Sequence, residues 1–248
     1  MKLPKYLDIE LNTSCNLQCE PCPYKEVHKT PQFMNLDLLE EIINQIDWDC
    51  SIKFCQRGEP LLSSILIEAI KKAHKKGLRT VINTNGFYLE HFAKDLIKSG
   101  LDELILSDYG HPHQFQHGCT FSSLNQFHDS PIKFTVKTEK PKKWIGITHH
   151  IIKSVYYDYL DTTEDSTSLP NWKCSQLYEK LIIDPDGKVR CCCGNTHPNK
   201  YVGSIKLESI RTIWDGIQMT FYRLLHDEGA SHHLVMCRKC AYRRSFIK

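Results

Sequence analysis

The stretch Tyr6-Leu7-Asp8-Ile9-Glu10-Leu11-Asn12-Thr13-Ser14-Cys15-Asn16-Leu17-Gln18-Cys19-Glu20-Pro21-Cys22 decides the fold. Its first half alternates: Leu7, Ile9 and Leu11 fall on one face and Asp8 and Glu10 on the other, the period of a β-strand. Its second half is a loop bearing Cys15-x3-Cys19-x2-Cys22. A loop leaving the C-terminal edge of such a strand is where α/β folds carry their active sites. Three thiolates on a short loop hold three irons of a 4Fe-4S cubane and leave the fourth iron open. The alternative is zinc, which normally takes a fourth protein ligand, and His28 is the local candidate for it.

Outward from this stretch, short apolar strands alternate with amphipathic helices, the pattern of a mostly parallel sheet wrapped by helices. Helices are expected at Leu36 to Ile46 with Asn35 as N-cap, at Ser64 to Lys76 stopped by Gly77, and at Leu89 to Ser99 stopped by Gly100. Strands are expected at Ile52 to Cys55, Thr80 to Thr84, Leu104 to Ser107 and Ile132 to Val136. The stretch from Asp108 to Pro131 has weak periodicity and reads as loop or irregular helix, and residues 144 to 160 supply a sixth strand. Thr162 to Leu169 is polar and reads as linker. Beyond it, Leu181 to Ile183 and Lys188 to Cys191 form a hairpin around Asp184-Pro185-Asp186-Gly187, followed by helices near Leu207 to Trp214 and Gln218 to His226. The expected division is residues 1–160 as an α/β unit, 161–173 as linker and 174–248 as a small cysteine-bearing module.

The chain has 248 residues, 41% hydrophobic and 25% charged, which excludes disordered and collagen-like classes. No apolar run approaches the roughly 20 residues that cross a bilayer, and no apolar stretch follows the start, so a soluble cytoplasmic protein is expected. The net charge of +3 demands no polyanionic partner. The twelve cysteines are the outlier. Eight fall in tight groups, 15/19/22, 191/192/193 and 237/240, with Cys174 joining at longer range. Closely spaced thiols without a signal peptide point to metal in a reducing compartment rather than to disulfides. Cys50, Cys55 and Cys119 lack metal spacing and read as small core residues, and His111, His113 and His117 as a solvated segment.

Further motifs follow the strands. Gln56-Arg57-Gly58-Glu59-Pro60 comes after the second, Thr84-Asn85-Gly86 after the third, and Ser107 ends the fourth. Together with the cysteine loop these resemble the radical S-adenosylmethionine (SAM) superfamily over about residues 5 to 110. The resemblance implies a partial (β/α)6 TIM-like barrel. It implies a 4Fe-4S cluster on Cys15, Cys19 and Cys22, and SAM contacts from Gly58, Glu59, Pro60, Asn85 and Ser107. Members of the family cleave SAM reductively to a 5'-deoxyadenosyl radical, which abstracts hydrogen from an unactivated carbon. Two positions depart from the pattern. Pro21 stands where an aromatic residue is usual, and Arg57 replaces the first glycine of Gly-Gly-Glu-Pro, where it is expected to add a cation near the methionine carboxylate. Gly58 is expected to let the backbone approach the methionine. The alternative for Gly58-Glu59-Pro60 is a plain strand-to-helix turn.

Cys174, Gly187, Cys192 and Cys237-x2-Cys240 resemble the SPASM or twitch extension of many such enzymes. The cysteine number fits one auxiliary 4Fe-4S cluster on Cys174, Cys192, Cys237 and Cys240, with Cys191 or Cys193 as the alternative to Cys192 and structural zinc as the alternative metal. Two clusters and SAM are therefore the implied cofactors, with an electron donor such as flavodoxin or ferredoxin. The implied enzyme is an oxidoreductase, isomerase or transferase acting on a peptide side chain or small polar metabolite by oxidation, cross-linking or epimerisation. A nucleotide or nucleic-acid base is the second choice, and a non-catalytic zinc or iron-sulfur protein is the rival of another class. Basic groups at Lys71 to Arg79, at Lys137 to Lys143 and at Arg238 to Arg244 read as surface charge, the latter two near the site edge.

Overall fold

A computed structural model of the chain describes residues 2–19, 22, 30–110, 114, 121–153, 173–194, 200–238 and 240. The expected linker, His28, Pro21, Cys119, the histidines at 111, 113 and 117, Lys239, Arg243 and Arg244 lie outside the described residues.

Six parallel strands run in sequence order: β1 (Tyr6–Ile9), β2 (Ser51–Phe54), β3 (Arg79–Thr84), β4 (Glu103–Asp108), β5 (Lys133–Thr138) and β6 (His150–Lys153). Between them lie α1 (Leu36–Asn44), α2 (Leu66–Lys75), α3 (Leu89–Lys98) and α4 (Phe121–His128). The strands pair in a continuous parallel ladder and the sheet stays open, so this is a partial barrel. Local chemistry sets each boundary. The side chain of Asn35 accepts from the backbone N–H of Leu38 at 2.8 Å and starts α1. Gly77 and Gly100 follow α2 and α3 with φ of 78° and 83°, left-handed values that glycine adopts without strain. The stretch expected as loop or irregular helix holds one regular helix, α4.

Leu7, Ile9, Ile52, Phe54, Ile82, Leu104, Leu106, Phe134 and Val136 point outward under the helices and are almost wholly buried. The alternate residues, among them Asp8, Glu10, Lys53, Asn83, Ser107 and Lys137, therefore line the inner face.

The C-terminal part joins this sheet. The short α5 (Gln176–Glu179) leads into β7 (Lys180–Ile183), which pairs with β1 in parallel, Tyr6 opposite Lys180 and Ile9 opposite Ile183. β7 then forms the expected hairpin with β8 (Lys188–Arg190), and β9 (Gly203–Ser204) completes a nine-stranded sheet in the order β6-β5-β4-β3-β2-β1-β7-β8-β9. Helices α6 (Ile210–Trp214), α7 (Ile217–Asp227) and α8 (Val235–Arg238) pack behind it. The Trp214 indole donates to the carbonyl of Lys2 at 2.9 Å and ties the two ends of the chain together. Among the described residues no helix is long and apolar enough to cross a membrane.

Candidate active site and iron-sulfur centres

The first cysteine loop is closed at its base. Met34 donates to Leu11 O at 2.8 Å, Thr13 donates to Gln32 O at 3.0 Å, and the Thr13 hydroxyl accepts from Gln32 N. Between these anchors Cys15, Cys19 and Cys22 are half-buried, with Cys22 N bonded to Cys19 O in a turn. Burial pushes the Cys15 thiol up to about 12, with smaller contributions from Glu59, Cys19 and Cys22, and pushes Cys19 up to about 11, with Cys22 adding to it. The three thiols are near enough to feel one another. Neither Cys15 nor Cys19 is an activated free thiolate, and their ionisation calls for a bound cation.

The motif after β2 clasps this loop. The Glu59 N–H donates to Ser14 O at 2.7 Å, and the Asn12 amide donates to Glu59 O at 3.0 Å. The Glu59 carboxylate accepts from the Thr84 hydroxyl at 2.7 Å, from Asn85 N at 2.8 Å and from Leu61 N at 3.1 Å. It thereby joins the ends of β2 and β3, and it caps the 3-10 turn Pro60–Leu62. A Cβ on Gly58 would lie 2.1 Å from Asn12 O, so the backbone that requires this glycine is that of the cysteine loop. This contact gives a reason for the glycine besides the expected approach of methionine. Asn85 donates to Asn16 Oδ1 at 2.9 Å and lies 4.0 Å from the Cys15 sulfur. Ser107 accepts from the Asn83 amide at 3.3 Å. Fully buried Gln114 donates to the carbonyls of Asn85 and Ser107 and so locks the ends of β3 and β4 together. Sequence reasoning missed Gln114 because it sits in the aperiodic stretch.

Arg57 reaches the second cysteine set. Its guanidinium donates to Cys193 O at 3.2 Å and lies beside a buried charge cluster in which Arg190 bonds Asp184 through Nε at 2.7 Å and reaches Glu10 at 3.5 Å. The residue expected to add a cation near the methionine carboxylate thus also bridges to the second cysteine set, where Glu10 and Asp184 draw its charge.

That second set lines one pocket. Cys174, Cys192, Cys193, Cys237 and Cys240 are all at its wall, with His226 and Tyr222. Cys191 is fully buried just outside the lining, its sulfur 3.7 Å from the Met236 sulfur and its thiol beside Cys192 and Cys237. Of the three cysteines after β8, Cys192 and Cys193 line the pocket, and Cys193 contacts Gln176 at 3.4 Å. His226 accepts from Cys174 N at 3.4 Å through Nδ1 and lies 3.4 Å from the Cys237 sulfur through Nε2. Sequence reading placed it only as the end of a helix. Burial pushes the Cys174 thiol up to about 12. Five thiols around one pocket fit an iron-sulfur cluster by donor chemistry. Among the described residues no three His, Cys, Asp or Glu side chains are gathered to hold a single metal ion.

Cys50 is in the apolar core, whereas Cys55 is buried beside Lys53 on the inner face. Lys72 pairs with Glu40 and Glu68, and Lys143 with Asp108, so these basic side chains have acidic neighbours.

Residues 9–107 match the Radical SAM superfamily, and residues 174–241 match the SPASM iron-sulfur cluster-binding domain. The chain is a radical SAM enzyme with a SPASM-type domain, and SAM and iron-sulfur clusters come with that membership. It is 23% identical, over 96% of its length and 93% of the relative's, to an S-adenosyl-L-methionine-dependent 2-deoxy-scyllo-inosamine dehydrogenase of Niallia circulans. Among solved structures, BtrN in complex with AdoMet and 2-DOIA superposes with a TM-score of 0.73 at 22% identity, covering 96% of this chain and 92% of that one. The enzyme anSMEcpe, with bound AdoMet and a Cp18Cys peptide, gives 0.63 at 17% identity, covering 90% and 83%. These two structures speak to the fold.

Proposed function

We propose that this enzyme oxidises a small polar metabolite held in the barrel lumen between two 4Fe-4S clusters, one on Cys15, Cys19 and Cys22 and one on Cys174, Cys192, Cys237 and Cys240. The observation that carries the reading is the Arg57–Cys193 bond, which sets the wall of the second cysteine pocket directly behind the motif that clasps the first cysteine loop. A molecule in the lumen lies between the two cysteine sets. The relative that matches nearly end to end is a dehydrogenase, which favours oxidation over cross-linking or epimerisation.

With SAM on its open iron, the first cluster supplies a radical that removes one hydrogen atom from carbon. The chain does the rest. Gly58, Glu59 and Asn12 fix the cysteine loop, and Asn85 and Ser107 present polar groups at the ends of β3 and β4, where SAM contacts are expected. Cys174, Cys192, Cys237 and Cys240 would hold a second cluster able to accept the remaining electron, the proton leaving to solvent, and a flavodoxin or ferredoxin would supply the electron that starts the cycle. The division into a barrel at 1–160 and a module at 174–248 belongs to the same reading.

The test is anaerobic reconstitution. Wild-type protein is expected to carry about eight irons and eight sulfides, and the Cys15, Cys19 and Cys22 to Ala variant about four. Reduced wild type with SAM is expected to release 5'-deoxyadenosine slowly without substrate. Cys19→Ala should abolish that release and Cys237→Ala should retain part of it. Zinc with no iron in the wild type would sink the reading and restore the non-catalytic rival.

A further inference from the structure

The lumen carries positive charge that the chain leaves unbalanced. Lys53 alternates with outward Ile52 and Phe54 and stands in register with Asp8. Lys137 alternates with outward Val136 and Thr138 and stands in register with Ser107. A third lysine, Lys180, pairs with Asp8 at 3.0 Å. Among the described residues neither Lys53 nor Lys137 makes a hydrogen bond or ion pair; Asp8 is the carboxylate that Lys53 feels in common with Lys180, and Lys137 feels Lys53 but no carboxylate. Glu10 and Asp184 are already matched by Arg190 and Arg57. Two ammonium groups thus share one carboxylate, and a third, Lys137, has none.

Two buried acceptors complete the surface. Asp8 Oδ2 is occupied by Lys180 and by the Gln56 amide at 2.8 Å, while Asp8 Oδ1 has no partner, and Asn83 Oδ1 has none either. Buried acceptors left without donors are costly, about 1–3 kcal/mol each, unless a ligand serves them. Burial and the nearby charge of Lys53 push the Lys137 ammonium below its ordinary value, the shift that a bound anion reverses.

We propose that the substrate is a small polyhydroxy metabolite bearing an acidic group, a carboxylate or a phosphate, held by Lys53 and Lys137 with its hydroxyls donating to Asp8 Oδ1 and Asn83 Oδ1. This rests on the lumen being the substrate site. It separates the enzyme from one that takes a neutral or cationic sugar. Lys53 was legible as an inner-face residue from its alternation with Ile52 and Phe54, and Lys137 stands apart from Lys143, which serves Asp108.

The experiment uses reconstituted holoenzyme with SAM, titrated calorimetrically with glucose, gluconate and glucose 6-phosphate. An acidic sugar is expected to bind at least about tenfold more tightly than glucose, and whichever of the two prevails assigns the acidic group. Lys53→Gln and Lys137→Gln should each weaken that binding roughly tenfold or more, with iron content and SAM affinity unchanged and with partial recovery in Lys53→Arg and Lys137→Arg. Equal binding of glucose and the acidic sugars, or no binding of either acid, overturns the proposal. Loss of SAM affinity or iron in the Gln variants also overturns it, because the lysines would then be counter-ions of the cofactors. A wild type that cleaves SAM but shows no acid preference sinks this inference alone, whereas one that never cleaves SAM sinks the parent reading.

Discussion

The guanidinium of Arg57 donates to the backbone carbonyl of Cys193, so a residue of the β2 motif holds the wall of the pocket lined by the second cysteine set. The same guanidinium feels Glu10 and Asp184, both buried. Arg57→Met keeps the stem but removes the charge and the bond. It should cost about 3 kcal/mol of stability by leaving the buried acids short of positive charge. The auxiliary iron should be lost before the SAM-binding iron. Denaturant unfolding together with iron counts on partly loaded protein checks both, and loss of the two clusters in parallel would contradict the order.

Gly58→Ala places a methyl group 2.1 Å from the carbonyl oxygen of Asn12, a backbone atom that cannot step aside without moving the cysteine loop. The expected outcome is a protein with about four irons where the wild type holds about eight. Full iron content with weakened SAM binding would return Gly58 to the methionine and contradict the contact.

The Glu59 carboxyl is pushed up to about 7, chiefly by burial, with the donors Asn85 N, Thr84 Oγ1 and Leu61 N pulling the other way. Its folded value lies above its unfolded one, so the folded protein binds the extra proton between pH 4.5 and 7. Stability contributed here therefore falls as pH rises through that window, with no penalty below it and the full penalty above. Relative to Glu59→Gln, the wild type should gain thermal stability as pH is lowered from 7 to 4.5. An infrared titration of the Glu59 carboxyl should find its midpoint near 7, and a midpoint near 4.5 would show that the donors outweigh burial.

His226 touches two members of the second set at once, through Cys174 N and the Cys237 sulfur. His226→Phe preserves ring volume and removes both contacts. Auxiliary iron should be retained several-fold less well on dilution against a chelator, while SAM cleavage by the first cluster persists in part. Unchanged retention would reduce His226 to a packing role.

Much of this was legible before any coordinates. The period-two alternation of Leu7, Ile9 and Leu11 and its repetition in later strands marked the sheet, and Asn35, Gly77 and Gly100 marked helix ends within a residue or two. Cysteine spacing marked both sets. What stayed hidden depends on distant partners. Nothing local says that Gly58 must clear Asn12 O, that Arg57 turns to Cys193, or that Gln114 lies under two strand ends. Lys-Leu-Ile-Ile at 180–183 reads as a hairpin strand whether or not a second neighbour lies on its other side, so the pairing with β1 carried no signature.

That pairing has a consequence for how the chain comes into being. The Lys180–Asp8 contact joins residues 172 apart, and β1 has β7 as its neighbour on one side. During synthesis the first strand must therefore wait, one edge bare, until nearly three-quarters of the chain has left the ribosome. Non-local closure of this kind slows folding, and an unpaired edge invites association meanwhile. A chain cut at residue 173 should accordingly be more prone to aggregate than the whole protein, even though every residue of its first cysteine loop is present.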